Sequence, residues 1–160
     1  MHIAALRTAV LFCMSRNRHG KRDSRHYFEW MEYASEDLDA ALQLFEGGTC
    51  YNAAGFHCQQ TLEKSLKPYL LFMIGQTFDG HNLSWLVRQA CKYNSKFNRF
   101  IGETALLNRY YIECRYPSDN WENPDRQMID RNISVTRDLY EYVCTLIYDD
   151  DYDSDDYDDD

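Results

Sequence analysis

The chain contains few of the residues that interrupt helices. Its 160 residues include three prolines and seven glycines, which disfavours a turn-rich β fold. No stretch alternates apolar and polar residues over a strand's length, and neither a glycine-rich phosphate loop nor an internal repeat occurs. Thirteen tyrosines and an aromatic content of 15% nevertheless indicate an ordered core. Because a chain of this length can bury such a core without cross-links, the composition favours one helical domain.

Cysteine pairs at metal-binding spacing are also absent. No Cys-x-x-Cys pair occurs and no histidine stands at ligand spacing from a cysteine. We therefore expect no metal and no cofactor, and we interpret the cysteines as buried free thiols of a protein from a reducing compartment. The six cysteines are Cys13, Cys50, Cys58, Cys91, Cys114 and Cys144.

Long hydrophobic runs are missing as well. The apolar stretch from Ile3 to Met14 is short, is interrupted by Arg7, and has neither a charged leader nor a small-residue cleavage site. It is a poor signal peptide and too short to span a bilayer. The sequence therefore predicts a cytoplasmic protein without a membrane segment.

The net charge of −9 is unevenly distributed. Residues 149–160 hold nine aspartates and no basic residue, whereas residues 1–25 hold six basic residues against one acidic residue. We predict three parts: a basic extension (1–25), a helical domain (26–148) and an acidic, disordered tail (149–160). The extension is either a functional arm or the result of an upstream start codon. This distribution does not suggest a broad nucleic-acid-binding surface.

Apolar residues recur at helical spacing along the domain. The spacing predicts a first helix over about 27–45, stopped by Gly47–Gly48, and a second over about 50–74. Pro68 lies inside the second helix, and we expect a kink just before it because proline removes a backbone donor.

Three further helices are predicted after a loop at 75–80. The third is capped by Asn82 or Ser84, the fourth covers about 97–111, and the last begins at Asn123–Pro124 and ends at the aspartates. The prediction is an all-α, up-and-down helical bundle of four to five helices. The last helix has a narrow apolar seam, which suits either helix-to-helix association or an ordinary core; its residues are Ile129, Ile133, Thr136, Tyr140, Val143 and Ile147.

The most specific pattern is the run from Tyr51 to Lys67. Small and apolar residues form one stripe, while polar residues such as His57 and Gln60 crowd its flanks in place of ordinary surface residues. This run resembles the signature helix of the HEPN family, small helical domains associated with nucleotides and RNA. Three further blocks resemble family motifs in the same order: Trp30-x3-Ala34-x2-Asp37-Leu38, His81-Asn82-Leu83 and Arg115-Tyr116-Pro117.

The resemblance implies a HEPN-like domain but not the family's usual ribonuclease chemistry. Nuclease-active branches carry an arginine, four to six intervening residues and then a histidine, and they cleave RNA without a metal. After Arg115 those positions hold Asn120, Trp121 and Glu122. Asparagine can form hydrogen bonds but cannot exchange a proton near neutral pH. We therefore assign no catalytic residue.

Eight residues are candidates for ligand binding. His57 is either a histidine that is hydrogen-bonded across the bundle or part of a ligand-facing side; Lys64 and Lys67 either bind one anion together or remain solvated. His81 either caps a loop or contacts the ligand. The full set is His57, Gln60, Lys64, Lys67, His81, Arg115, Tyr116 and Asn120.

Arg115 and Tyr116 are the strongest pair among these candidates. A guanidinium group suits phosphate and a tyrosine ring suits base stacking. Alternatively, an arginine before a proline ties down its loop by donating to backbone carbonyls. Both interpretations remain open at this point.

Three functions follow from the resemblance and the residues. The first is a nucleotide- or RNA-binding partner protein within a nucleotidyltransferase–HEPN module of toxin–antitoxin type, acting as a homodimer or in complex with a minimal nucleotidyltransferase. The second is a metal-free endoribonuclease with its base at another position, such as His57 or His81. The third is a purely structural interaction protein whose acidic tail blocks or mimics nucleic acid.

Overall fold

The computed structural model describes residues 24–76, 78–117 and 119–149. These ranges contain five α-helices and no strand, which confirms the predicted all-α bundle. The helices are α1 (Ser24–Glu46), α2 (Tyr51–Ile74), α3 (Leu83–Tyr93), α4 (Ile101–Leu107) and α5 (Arg126–Asp149). The predictions about the basic extension and the acidic tail fall almost entirely outside the described residues.

Three long helices, α1, α2 and α5, form the main layer of the bundle. The ring of Phe28 in α1 stacks on Tyr148 in α5 at 5.3 Å, while Arg126 at the start of α5 donates to the carbonyl of Phe45. Helices α1 and α5 are therefore antiparallel. The core between the three is apolar, and its fully buried side chains include Met31, Leu38, Leu62, Leu66, Tyr140 and Val143.

The seam of α5 belongs to this core. All six of its residues are buried: Ile133 is 4% exposed and the other five are at most 1% exposed. The seam is thus covered within one chain, so it is not a face for association with a second molecule. Of the two interpretations of the seam, the ordinary core applies.

Helix α2 is continuous from Tyr51 to Ile74 even though it contains Pro68. Two buried hydroxyls near the proline bond back into the helix: Ser65 Oγ donates to the Thr61 carbonyl at 2.7 Å and Thr61 Oγ1 to the His57 carbonyl at 2.9 Å. The helix ends at Gly75, whose φ of 74° is accessible to glycine at little cost.

The boundaries of α3 and α5 test two predicted caps. Asn82 caps α3, since its Oδ1 accepts from Trp85 N at 3.0 Å, and this prediction is confirmed. The predicted start of α5 at Asn123–Pro124 is wrong. Asp125 Oδ1 accepts from Met128 N at 2.7 Å and caps the helix, because the Asn123 side chain instead accepts from Asn52 Nδ2.

The single fourth helix predicted over 97–111 is also wrong. The segment contains α4 flanked by two 3₁₀ turns, Ser95–Phe100 and Asn108–Tyr111. The tighter winding of a 3₁₀ turn eclipses side chains three residues apart. Phe97 and Phe100 are three apart in the first turn, and both are buried, at 0% and 4% exposed. The apolar spacing that predicted one long helix therefore arises from a shorter helix and its flanking turns.

The predicted burial of the free thiols is complete for one cysteine, Cys58. Burial raises the pKa of the Cys58 thiol to about 12, so it is unreactive near neutral pH. Cys91, Cys114 and Cys144 are partly buried, whereas Cys50 is exposed because it lies at the surface turn before α2; Cys13 lies outside the described residues. Within the described ranges no cluster of ligands could hold a metal, and no helix there has the length and apolarity of a membrane span.

Candidate polar network between helices α1, α2 and α3

A buried carboxylate of α1 organises the first half of the site. Asp37 is 9% exposed. Its Oδ1 lies 2.8 Å from Nδ1 of His57, and its Oδ2 accepts from Lys64 Nζ at 2.6 Å. Because the carboxylate accepts, His57 Nδ1 donates and Nε2 is left for another partner. The interpretation of His57 as a histidine bonded across the bundle therefore applies.

A second buried carboxylate repeats this arrangement further along α2. Glu63 is 4% exposed, and its Oε1 accepts from Lys67 Nζ at 2.9 Å and contacts His81 Nδ1 at 2.8 Å. Its Oε2 accepts from Gln59 Nε2 at 3.2 Å. Gln60 in turn donates to Gln59 Oε1 at 2.7 Å. Each carboxylate therefore joins one lysine and one histidine.

The two lysines consequently do not share one anion. Lys64 is held by Asp37 and Lys67 by Glu63. Both ammonium groups also lie over aromatic rings of α1, Lys64 over Tyr33 at 5.8 Å and Lys67 over Trp30 at 5.7 Å. The charge of each lysine is thus largely balanced by its own carboxylate partner.

An aromatic and cationic layer covers the outer side of this network. The ring of His81 stacks on Tyr111 at 4.4 Å with an interplanar angle of 17°. The Arg115 guanidinium lies 5.0 Å from the Tyr111 ring, 5.7 Å from Tyr116 and 5.3 Å from Phe56. Arg115 and Tyr116 are exposed. Among the described residues, the Arg115 side chain donates to no backbone carbonyl and rests on rings, so its contacts do not support the loop-tying interpretation. Phosphate binding by Arg115 stays a prediction.

Seven of the eight candidate residues meet in this one connected network. The two halves join through Phe56, whose ring contacts His57 edge-on at 5.7 Å and also faces Arg115. The connected candidates are His57, Gln60, Lys64, Lys67, His81, Arg115 and Tyr116.

Asn120 is the exception among the candidates. Its carbonyl accepts from Arg109 Nη2 at 3.5 Å. It lines a cavity of about 390 Å³ together with Trp121, Met128 and Asn132. The lining of this cavity includes none of the other seven candidates.

Sequence reasoning missed Asp37, Gln59, Glu63 and Tyr111 as members of the site. The signal for Asp37 was its position among the apolar stripe residues of α1, where a carboxylate needs a partner. Glu63 likewise stands beside the buried Leu62. Tyr111 gave no signal, because its role depends on a 3₁₀ turn that periodicity does not reveal.

A groove of about 550 Å³ runs beside this network. One wall is formed by His81 and Asn82 before α3, and the other by the second 3₁₀ turn and the two residues after it. Arg109, which is bound through two nitrogens by Glu113, forms one rim. The complete lining is His81, Asn82, Asn108, Arg109, Tyr111, Ile112 and Glu113.

The fold and the network together define a small all-α domain with paired carboxylate, lysine and histidine side chains between its helices. The family model of the HEPN domain matches residues 27–147 of the chain. This protein belongs to the HEPN family.

Solved structures with a similar fold include two from prokaryotes. TT1696 from Thermus thermophilus is similar with a TM-score of 0.66 and 24% identity, over 74% of this chain and 95% of that chain. ST0689, an archaeal HEPN homologue, is similar with a TM-score of 0.62 and 25% identity, over 76% of this chain and 98% of that chain. No curated protein sequence matches the chain.

Proposed function

We propose that this HEPN-domain protein is a nucleotide- or RNA-binding partner protein of the cytoplasm, and that it acts within a nucleotidyltransferase–HEPN module without cleaving RNA itself. Membership of the family supports the ligand class. The observation that carries the proposal is the exposed Arg115, held between aromatic rings beside the stacked pair His81–Tyr111. This surface combines a phosphate-binding group with planar rings.

The chemistry of this surface suits a single-stranded nucleic acid or a nucleotide. Unstacked bases bind aromatic and guanidinium planes, and phosphates bind the guanidinium edge. The Arg115 side chain forms no ion pair with another described residue, so its donors are available to a phosphate. The buried carboxylate of Glu63 fixes His81 in position, which keeps the ring stack ordered before a ligand arrives.

Association with a second protein is supported by a different surface from the α5 seam. Several large apolar side chains beside the groove and the Asn120 cavity are half-exposed or more. They are Leu106 (59%), Ile112 (57%), Tyr116 (62%) and Met128 (50%). An exposed apolar set of this kind is typical of an interaction site. We propose that it contacts a second copy of the chain or a minimal nucleotidyltransferase.

Replacing Arg115 with alanine tests the ligand proposal. We expect the dissociation constant for a fluorescent single-stranded oligoribonucleotide to rise about tenfold, since one stacking and phosphate-binding side chain is lost. The slope of log K against log salt concentration should decrease in magnitude by about one. Fluorescence anisotropy at several salt concentrations measures both quantities.

Arg88→Ala is the matched control for that variant. Arg88 in α3 is also exposed and carries the same charge, but it does not line the groove beside His81. Its loss should leave oligoribonucleotide binding unchanged. Equal affinities for the wild type and both variants would contradict the proposal.

Endoribonuclease activity is the second candidate function, and the pairing of His81 with Glu63 favours it. The carboxylate holds Nδ1 of a ring that is 47% exposed, an arrangement that can leave Nε2 as a proton acceptor. Arg115, which shares the Tyr111 ring with His81, would then stabilise the phosphate.

We predict nevertheless that RNA is not cleaved in the presence of a chelator, because no histidine follows Arg115 at the family's spacing. Gel analysis of a labelled oligoribonucleotide incubated with EDTA checks this expectation. Cleavage that persists in His57→Ala and disappears in His81→Ala would establish the second function in place of the first.

A further inference from the structure

A second groove lies on the opposite side of α5 from the core, between α5 and the first 3₁₀ turn. Its volume is about 570 Å³. The apolar part is formed by Phe100, Val135 and Tyr142, and carboxylates from α4 and α5 surround it. The full lining is Arg99, Phe100, Glu103, Val135, Asp138, Glu141, Tyr142 and Thr145.

Three carboxylates surround this groove. Among the described residues, Glu103, Asp138 and Glu141 have no ion pair. The single cation of the lining, Arg99, lies flat over the rings of Phe100 and Tyr142. The lining therefore has a formal charge of −2, and its rings already accept a guanidinium group. A basic ligand complements the negative charge of this lining.

The chain itself contains a segment of this chemistry. Residues 16–25 contain Arg16, Arg18, Lys21, Arg22 and Arg25 against one aspartate. The segment precedes α1, whose residue Phe28 stacks on Tyr148 of α5 at 5.3 Å. Glu141 lies seven residues before Tyr148, roughly 10 Å along the helix axis. Because Ser24 lies four residues before Phe28, the separation along the axis from Ser24 to Glu141 is roughly 16 Å. An extended chain spans about 3.3 Å per residue, so about five residues of the arm cover it.

We propose that the basic arm, residues 16–22, docks in this groove of its own chain, with its side chains paired to Asp138 and Glu141. Attachment to α1 keeps the arm at a high effective concentration, so weak contacts suffice to hold it. The docked arm is not available to nucleic acid. The proposal concerns a different surface from Arg115 and does not depend on the proposed function.

Limited trypsin digestion of the full chain tests this proposal, because trypsin cleaves after the basic residues of the arm. The test variant is Asp138→Asn/Glu141→Gln, and both side chains are exposed, so the fold is retained. Intact-mass spectrometry monitors cleavage within residues 16–22. We expect this cleavage to become about threefold faster in the variant, because two ion pairs are lost. Added salt should accelerate cleavage of the wild type toward the same rate.

Glu32→Gln/Glu36→Gln is the matched control. It removes the same charge from exposed positions of α1 and should leave the cleavage rate unchanged. An equal rate in the groove variant and the wild type would overturn the proposal. The proposal would also be overturned if cleavage became faster only in the variant Asp153→Asn/Asp155→Asn/Asp156→Asn. That result would assign the arm to the acidic tail. Protection that increases with protein concentration would assign it to a second copy instead.

Discussion

Glu63→Ala is expected to lower the free energy of unfolding by about 3–5 kcal/mol, the cost of removing one partner from a buried ion pair. The carboxylate is 4% exposed and serves three donors at once. Without it, Gln59, which is fully buried, and Lys67, whose side chain is 13% exposed, lose an acceptor in a place that water reaches poorly. Chemical denaturation followed by circular dichroism measures the change.

Two further variants separate the ion pair from the loss of side-chain volume. Glu63→Gln keeps the shape and one hydrogen-bond acceptor, so we expect a smaller loss than for alanine. Glu113→Ala removes a carboxylate that also binds a cation four residues away, Arg109, but at the surface. Because surface ion pairs contribute little to stability, the denaturation midpoint of Glu113→Ala should stay near the wild-type value. A Glu63→Ala midpoint equal to that of Glu113→Ala would show that the buried network does not stabilise the fold.

Gly55→Ala in α2 is expected to lower the free energy of unfolding. A Cβ at this position would lie 2.1 Å from Cε1 and 2.2 Å from Cδ1 of Tyr110. That ring is 4% exposed and packs edge-on against Trp121 at 5.0 Å, so it has little room to move. Overpacking of this kind costs about 1–3 kcal/mol. It exceeds the gain of up to about 1 kcal/mol that alanine brings to a helix interior.

Gly102→Ala provides the opposite expectation in the same protein. Gly102 lies in α4, and a Cβ there would meet no atom within 4 Å. The substitution should therefore stabilise the fold by about 0.5–1 kcal/mol through helix propensity alone. Thermal unfolding of both variants compares them directly. Stabilisation by both would mean that Tyr110 yields easily and that the contact with Gly55 is not tight.

Much of the helical framework could be predicted from periodicity. The stripe of α2 and the seam of α5 repeat at helical spacing over many consecutive turns, and long periodic segments leave little ambiguity. Asn82 was identifiable as a cap because it precedes an apolar-periodic stretch. The start of α5 was misplaced because Asn123 had a partner elsewhere in the chain, Asn52, and competition of this kind is invisible in a local pattern.

The sequence predicted which residues form the site better than it predicted how these residues pair with one another. The polar residues flanking the α2 stripe and the Arg-Tyr-Pro motif identified most of the cationic and histidine side chains. The pairing of each lysine with its own carboxylate depends on the register between α1 and α2, which no single helix encodes. The Tyr111 ring links His81 to Arg115. Its position depends on the 3₁₀ turn after α4, where the apolar periodicity predicted a longer helix.

The stack of Phe28 on Tyr148 has a consequence for protein architecture. It places the second turn of α1 beside the last turn of α5, so the helical domain enters and leaves at one end. Domains with adjacent ends tolerate insertion into a host loop and circular permutation. A short connection from Asp149 to Ser24 would close the chain, and new ends could be opened at the exposed Gly47–Gly48 turn between α1 and α2. The HEPN bundle of this protein thus has the geometry of a transferable module.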